Sequence, residues 1–456
     1  MTAKKIPIAK PSLGEAEANL VREVLLSGWV TQGLQVKAFE EEFAIYVGAS
    51  HATAVSNCTT GLHLALKAVG VEAGHEVITV SHSFIATANA VRYCGATPVF
   101  CDINPRTYNI DPTLIEDLIT PKTAAILCVH QVGMPCDMEK LLDISKKYNI
   151  PLVEDAACAI GSEIFHDMKW QKIGAPIGDI AVFSFHPRKV ITTGDGGMLT
   201  TNNPAYDEKF KLWRQHSTSL RDTERHNSDQ VIFEEYTELG YNYRMTDIQA
   251  AIGREQLKRL PDIINRRRQL ADRYKRELVD INGIILPYEP DYAQSNWQTF
   301  IIRLPDYLKQ RDVMQALLNQ GISTRRAVMN THREPAYLEE SWKCAGNRAV
   351  CSCPVSACRS LSQSEFIQDT AIAIPLYPEM TDDDQSWVID ALHVICNNPD
   401  YTISVQAVVK TPLSELATIE FDKVETELDT PSNRKSTDEI QTKDLSDRLD
   451  KPEAKI

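Results

Sequence analysis

The sequence predicts an α/β protein: a large domain built on a mostly parallel, mixed sheet flanked by helices, followed by a smaller C-terminal α+β domain. Three observations carry this. Short apolar runs alternate with amphipathic stretches from Ala52 to Val153, the βαβ pattern of a parallel sheet. A long helical stretch then leads to a second, sparser group of strand and helix signals between Gln298 and Cys396. The chain has 456 residues, enough for two domains with substantial cores.

In order, helical periodicity covers 14–47 and is broken at 28–33, where Gly28 and Gly33 bracket Trp29 in a loop that must pass close to another surface. A short strand at 52–55 runs through Ser56-Asn57-Cys58-Thr59-Thr60-Gly61 into a helix at 62–69, ended by Gly70. Free N–H groups, hydroxyls and the positive end of a helix dipole converge there, which makes an anion site. Plain N-capping by Thr59 or Thr60 accounts for the same residues. Strands at 76–80, 97–101, 124–129 and 151–153 and helices at 84–93 and 138–147 follow. Ligands on such a sheet gather at the carboxyl ends of its strands. Those ends carry Ser81-His82-Ser83-Phe84, His130-Gln131, Glu154-Asp155 and the run from Ser184 to Lys189.

The stretch FSFHPRKVITTGDGGMLT (183–200) is the most pointed. An apolar strand at 180–185 stops at Pro187, Lys189 follows, and the glycines around Asp195 force a tight turn before a second strand at 197–201. Lysine held in such punctuation fits Schiff-base chemistry, its pKa lowered by burial or by a cationic neighbour such as Arg188. Taken alone, the segment is more simply a lysine capping an exposed hairpin. Asp155 ends a buried strand, so it needs a cationic or hydrogen-bonding partner, or serves as a helix N-cap.

Beyond the strands, helices at 246–260 and from Pro261 to Leu278 lead into a smaller domain with a strand at 298–304 and helices at 313–320 and 387–396. His332 and Tyr337 lie in a loop between them, positioned to reach back over the site or to be solvated. These patterns divide the chain into an N-terminal segment with the large domain at 1–260, a small domain at 261–400, and an acidic tail at 401–456 expected to be disordered. A formal charge of -14 argues against nucleic-acid or anionic-membrane partners. No apolar run reaches membrane-spanning length, and the first residues lack the apolar core of a secretory signal. The 11 scattered cysteines fit reduced thiols in a cytoplasmic protein. Cys344, Cys351, Cys353 and Cys358 lack a Cys-x-x-Cys pair, so free thiols are expected there rather than zinc, and no metal site is expected.

Several motifs in one order resemble the DegT/StrS family of pyridoxal-phosphate enzymes: SGWVTQG, SNCTTGLHLAL, HSFIATANAV, GATPVFCDI, VEDAACAIGS, FSFHPRKVITTGDGGM and GYNYRMTDIQAAIG. They spread over about 6–397. The resemblance implies the PLP-dependent transferase fold, type I, pyridoxal 5'-phosphate as cofactor, and transfer of an amino group from an amino acid, L-glutamate above all, to a nucleotide-linked keto sugar in amino-sugar or polysaccharide biosynthesis. Lys189 would carry the cofactor and shuttle the proton. Asp155 would hold the pyridine nitrogen, Phe84 stack on the ring, and Cys58, Thr59 and Ser184 surround the phosphate. Asn242 would come from the neighbouring subunit, implying a homodimer with shared active sites. Trp29, His332 and Tyr337 would face the sugar nucleotide. Cys58 stands where many members have glycine. Cys158 stands where Gln or His often touches the cofactor's phenolic oxygen. Relatives that dehydrate sugars carry His in place of the lysine, which is intact here.

Two other readings remain at this stage. One is an aminotransferase for a carbocyclic ketone such as an inosose. The other is a non-catalytic cofactor-binding regulator that uses the acidic tail for partners. Amino-acid aminotransferases commonly clamp the α-carboxylate with an arginine near the end of the small domain. This chain has no Arg or Lys between Ser360 and Asp400, which suits a bulky sugar acceptor.

Overall fold

The computed structural model describes residues 5–219, 233–344 and 358–398. Cys351, Cys353 and the expected tail lie outside them.

Helices α1 (Glu15–Ser27) and α2 (Leu34–Val47) open the fold. Gly33 at the start of α2 has no side chain to cap it, and the cap comes from far along the chain. The Asp247 carboxylate accepts the N–H groups of Gly33 at 2.8 Å, Gln35 at 3.2 Å and Val36 at 3.0 Å. The Trp29 loop is thereby fixed to the start of a later helix.

The main sheet contains β1 (His51–Val55), β2 (Glu76–Val80), β3 (Thr97–Cys101), β4 (Thr123–Val129), β5 (Leu152–Asp155), β8 (Ile180–Ser184) and β9 (Gly197–Thr201). Its seven strands lie in the order β1-β9-β8-β5-β4-β2-β3. All run in one direction except β9, which is antiparallel to both neighbours. The α/β expectation is met. Alternation within the strands sorts side chains onto two faces. Ile78, Ile126, Leu152, Phe183 and Met198 enter one core, and Val77, Leu127, Val153, Val182 and Leu199 enter another. Helices α3 (Cys58–Ala68) and α4 (Ala86–Tyr93) cover the second face, whereas α2 and α5 (Met138–Tyr148) cover the first.

A hairpin of β6 (Glu163–His166) and β7 (Lys169–Lys172), unanticipated from sequence, pairs with β10 (Ala293–Gln294). Helix α6 (Pro204–Trp213) was likewise not foreseen. The sequence pattern reads as two helices meeting at Pro261, but α7 (Asp247–Leu278) is one helix of 32 residues with that proline inside. Leu257, Leu260, Ile263 and Ile264 pack on both sides of it into the sheet's core, and this burial outweighs the hydrogen bond that proline cannot donate. From Leu270 onward α7 enters another core. That core takes in β11 (Phe300–Arg303), α8 (Gln310–Asn319), β13 (Ala371–Ile374) and the last helix (Asp382–Asn397). The two-residue β12 (Arg325–Arg326) completes an antiparallel sheet in the order β11-β13-β12.

Candidate active site

Three strand ends build the site. Asp155 is the last residue of β5 and lies opposite Val182 of the parallel β8. After β8 the chain turns, with the Lys189 N–H donating to the His186 carbonyl at 2.8 Å and Pro187 set at the position its fixed φ favours. The Phe185 carbonyl holds the returning segment by accepting from the Thr192 hydroxyl at 2.7 Å and the Thr193 N–H at 3.0 Å. Gly197 pairs with both Val55 and Ser184, bringing β1 and β8 to the same edge. A Cβ on Gly197 would lie 2.7 Å from the Asn57 carbonyl carbon, so only glycine lets the start of α3 approach this closely.

At that start, Asn57 caps Thr60 N–H at 2.9 Å, and the N–H groups of Cys58 and Thr59 are left to point out of the helix end. The Cys58 thiol is turned inward, 3.9 Å from the Val182 carbonyl, so its backbone rather than its sulfur faces an incoming anion. Ser184 is buried beside this end of the sheet.

Lys189 donates from Nζ to Cys158 Sγ at 3.0 Å. The structure corrects one expectation here. Burial works against the Lys189 charge, but Cys158, Cys58 and the Asp155 carboxylate outweigh it and hold the ammonium above its ordinary value rather than below. Arg188 is exposed and does not set the lysine's state. Asp155 is 5% exposed and accepts the Thr87 hydroxyl at 2.8 Å and the Ala157 N–H at 3.2 Å. Burial raises its pKa, against the pull of Thr87, Lys189 and Ala157. Both its close donors are neutral, so among the described residues this buried carboxylate has no direct ion pair.

Comparison with known proteins identifies the scaffold. Residues 11–393 match the model of the DegT/DnrJ/EryC1/StrS aminotransferase family. The chain is 36% identical over 399 residues to the spore coat polysaccharide biosynthesis protein SpsC of Bacillus subtilis, covering 87% of this chain and 98% of that one. The aminotransferase TlmJ of Streptoalloteichus hindustanus superposes with a TM-score of 0.75 at 30% identity, covering 89% of this chain and all of its own. DesI, solved in the presence of its TDP-sugar product, gives a TM-score of 0.76 at 26% identity over 89% of this chain and 96% of its own.

The chain belongs to the DegT/DnrJ/EryC1/StrS aminotransferase family.

That family is PLP-dependent, and the site fits the cofactor's chemistry. A phosphate suits the outward N–H groups of α3. A protonated ring nitrogen suits the unpaired buried carboxylate of Asp155, and an aldehyde suits the Lys189 amine. Phe84 is exposed just past β2, at this carboxyl edge. Asn242 is exposed as well, bridged to Gln215 through the backbone. The Trp29 indole nitrogen donates to the Gln32 carbonyl at 3.1 Å, within its own loop.

The structure places the other two residues that the resemblance turns toward the sugar nucleotide inside the fold. His332 is 1% exposed, with Nδ1 2.6 Å from the Ser81 hydroxyl and Nε2 2.9 Å from Glu365. Tyr337 is 2% exposed, packs with Ala88, Phe100 and Leu361, and donates its hydroxyl to Asn89 at 2.9 Å. Both side chains are consumed by internal packing. Sequence reasoning also missed Thr87, which extends a Ser83–Thr87–Asp155 hydrogen-bond chain. Ser83 and Thr87 lie four residues apart where helix α4 begins, which is a readable signal. Asn296, which holds the Cys158 and Ile160 carbonyls, left none, because its partners are more than a hundred residues away. Among the described residues there is no metal-binding cluster and no helix long and apolar enough to cross a membrane.

Proposed function

We propose that this aminotransferase moves an amino group from an amino acid, L-glutamate in the first instance, to the keto group of a nucleotide-linked sugar, using pyridoxal 5'-phosphate. The observation that carries the reading is the convergence of an amine, a buried unpaired carboxylate and an open helix N-terminus at one edge of the sheet. The names of SpsC and of DesI with its TDP-sugar product support the substrate class. So does the lack of any Arg or Lys between Ser360 and Asp400 to clamp a small α-carboxylate.

The cofactor supplies an aldehyde that accepts an amine nitrogen and a ring that withdraws electrons from the adjoining carbon. The Cys58 and Thr59 N–H groups and the Ser184 hydroxyl would hold its phosphate. Asp155 would bind the ring nitrogen and keep it protonated, while Thr87 orients the carboxylate. Lys189 would hold the cofactor through its amine, and the same amine would carry the proton at the substrate carbon. Phe84 would cover the ring, and Trp29 would border the substrate entrance. Asn242 completes the phosphate site of a second copy. Exposed Leu26, Leu34, Ile45 and Leu239 supply apolar surface for such a homodimer. The free thiols of the described cysteines suit a cytoplasmic setting.

Absorbance of the purified protein with added L-glutamate tests this. A visible cofactor band that glutamate converts to the amino form, and that keto-sugar nucleotides restore, is expected. A band unmoved by any amino acid would sink the proposal.

A further inference from the structure

We propose that Lys189 and Cys158 form a reversible, peroxide-dependent covalent bridge, a sulfenamide joining Nζ to Sγ. The two atoms are already in contact at 3.0 Å, and the flexible lysine stem lets them close to bonding distance. Access is selective. Among the described cysteines, Cys158 is half-buried and all the others are buried, so it is the thiol that a small oxidant reaches.

The chemistry balances in two steps. The Cys158 thiolate attacks hydrogen peroxide: an S–O bond forms, the O–O bond breaks, and after one proton is taken up the products are the sulfenic acid and water. Sulfur loses two electrons and peroxide gains them. The Lys189 nitrogen then attacks that sulfur, the S–O bond breaks, and the leaving hydroxide takes an amine proton and departs as water. No electrons are exchanged with outside groups in this second step. Two equivalents of a small thiol reverse it, returning the amine and the thiol and releasing a disulfide.

Oxidation itself prepares the amine. Cys158 is one of the neighbours that hold the Lys189 ammonium against burial; once its sulfur is the neutral sulfenic acid that support is gone, and burial favours the neutral, nucleophilic nitrogen. The bridge and covalent attachment of the cofactor compete for the same nitrogen. Oxidation therefore silences the enzyme, and bound cofactor protects it.

The test is peptide mapping of the full-length protein after graded hydrogen peroxide, with free thiols alkylated and digestion done without reductant. The expected product is a linked peptide containing Cys158 and Lys189, lighter than the two reduced peptides together by about 2 mass units. It disappears on treatment with dithiothreitol, is absent from C158S and K189R, and falls in yield when pyridoxal 5'-phosphate is added beforehand. The wild-type map alone decides the matter, whatever the folding of either variant. Cys158 recovered unreacted, as sulfinic acid, or joined to another cysteine without Lys189 would overturn the proposal. None of those results would touch the aminotransferase reading.

Discussion

Two polar clusters lie near the same sheet edge, and they differ in how their charges are matched. Around Asp155 and Lys189, charge is not matched by opposite charge: a buried carboxylate is held by neutral donors, a half-buried amine rests on a thiol, and a helix end has outward N–H groups. Around His332, pairing is dense. Ser81, His332, Glu365 and Arg333 form a chain of contacts of 2.6 Å, 2.9 Å and 3.2 Å, and the neighbouring His82–Asn330 contact adds 3.0 Å. The first cluster keeps bonding capacity for a ligand. The second uses its own to tie the loop after β2 to the segment around His332. Buried polarity alone therefore does not mark a site; a buried carboxylate without a cation does.

The largest effect expected from breaking this contrast is at Lys189. K189A removes the proton carrier, and turnover should fall by more than about 10³-fold while circular dichroism and the melting temperature stay near wild type. Residual activity within tenfold of wild type would place the chemistry elsewhere. Asp155 should fall next, with the opposite sign on stability. D155N retains the Thr87 contact but carries no charge to hold the ring nitrogen protonated, so turnover drops on the order of 10²-fold. The protein without cofactor should melt at the same or a higher temperature, because a buried charge has been removed. A large loss of stability in D155N would show that the carboxylate is structural.

The sequence made much of this legible, for identifiable reasons. Strands β2 and β3 lie where their apolar runs put them, since both faces of the sheet are covered, and β9 begins where the glycine turn around Asp195 puts it. Lys189 and Asp155 were readable because proline, glycine and a strand end fix them locally. What escaped depends on partners distant in sequence. The β6–β7 hairpin carries Lys169, Trp170 and Lys172 with no clean alternation, and it is joined by β10 more than a hundred residues later. The lysine's charge state was misjudged because Arg188 is its neighbour in sequence, whereas Cys158 is its neighbour in space. His332 and Tyr337 looked like loop residues, and only the tertiary fold shows them filled in by Ser81, Glu365 and Asn89.

The second cluster should respond in stability rather than in substrate affinity. Burial lowers the His332 pKa and keeps the imidazole neutral, while bonds from His332, the Cys358 N–H and Arg333 hold Glu365 below its ordinary value despite its burial. Both shifts act in the same direction. The unfolded chain takes up a proton on histidine below about pH 6.5 and on glutamate below about pH 4.5, before the folded chain does, so stability is lost on acidification. E365Q should cost about 2 kcal/mol at pH 7, and the gap from wild type should narrow below about pH 4.5. Denaturant titrations across that range check it; a gap constant with pH would remove Glu365 from the charged network.

Tyr337 gives the smallest effect and the finest test of the division. Its ring fills a core with Phe100 and Ala88, so Y337F keeps the packing and deletes only the hydroxyl that reaches Asn89. Asn89 is half-buried, and water can replace part of what it loses. Stability should fall by about 1 kcal/mol, with KM for the sugar nucleotide unchanged. A tenfold rise in KM at unaltered stability would mean that the hydroxyl meets substrate in the working enzyme. The tied cluster would then extend into the site, and the boundary between the two clusters would have to be drawn on the other side of α4.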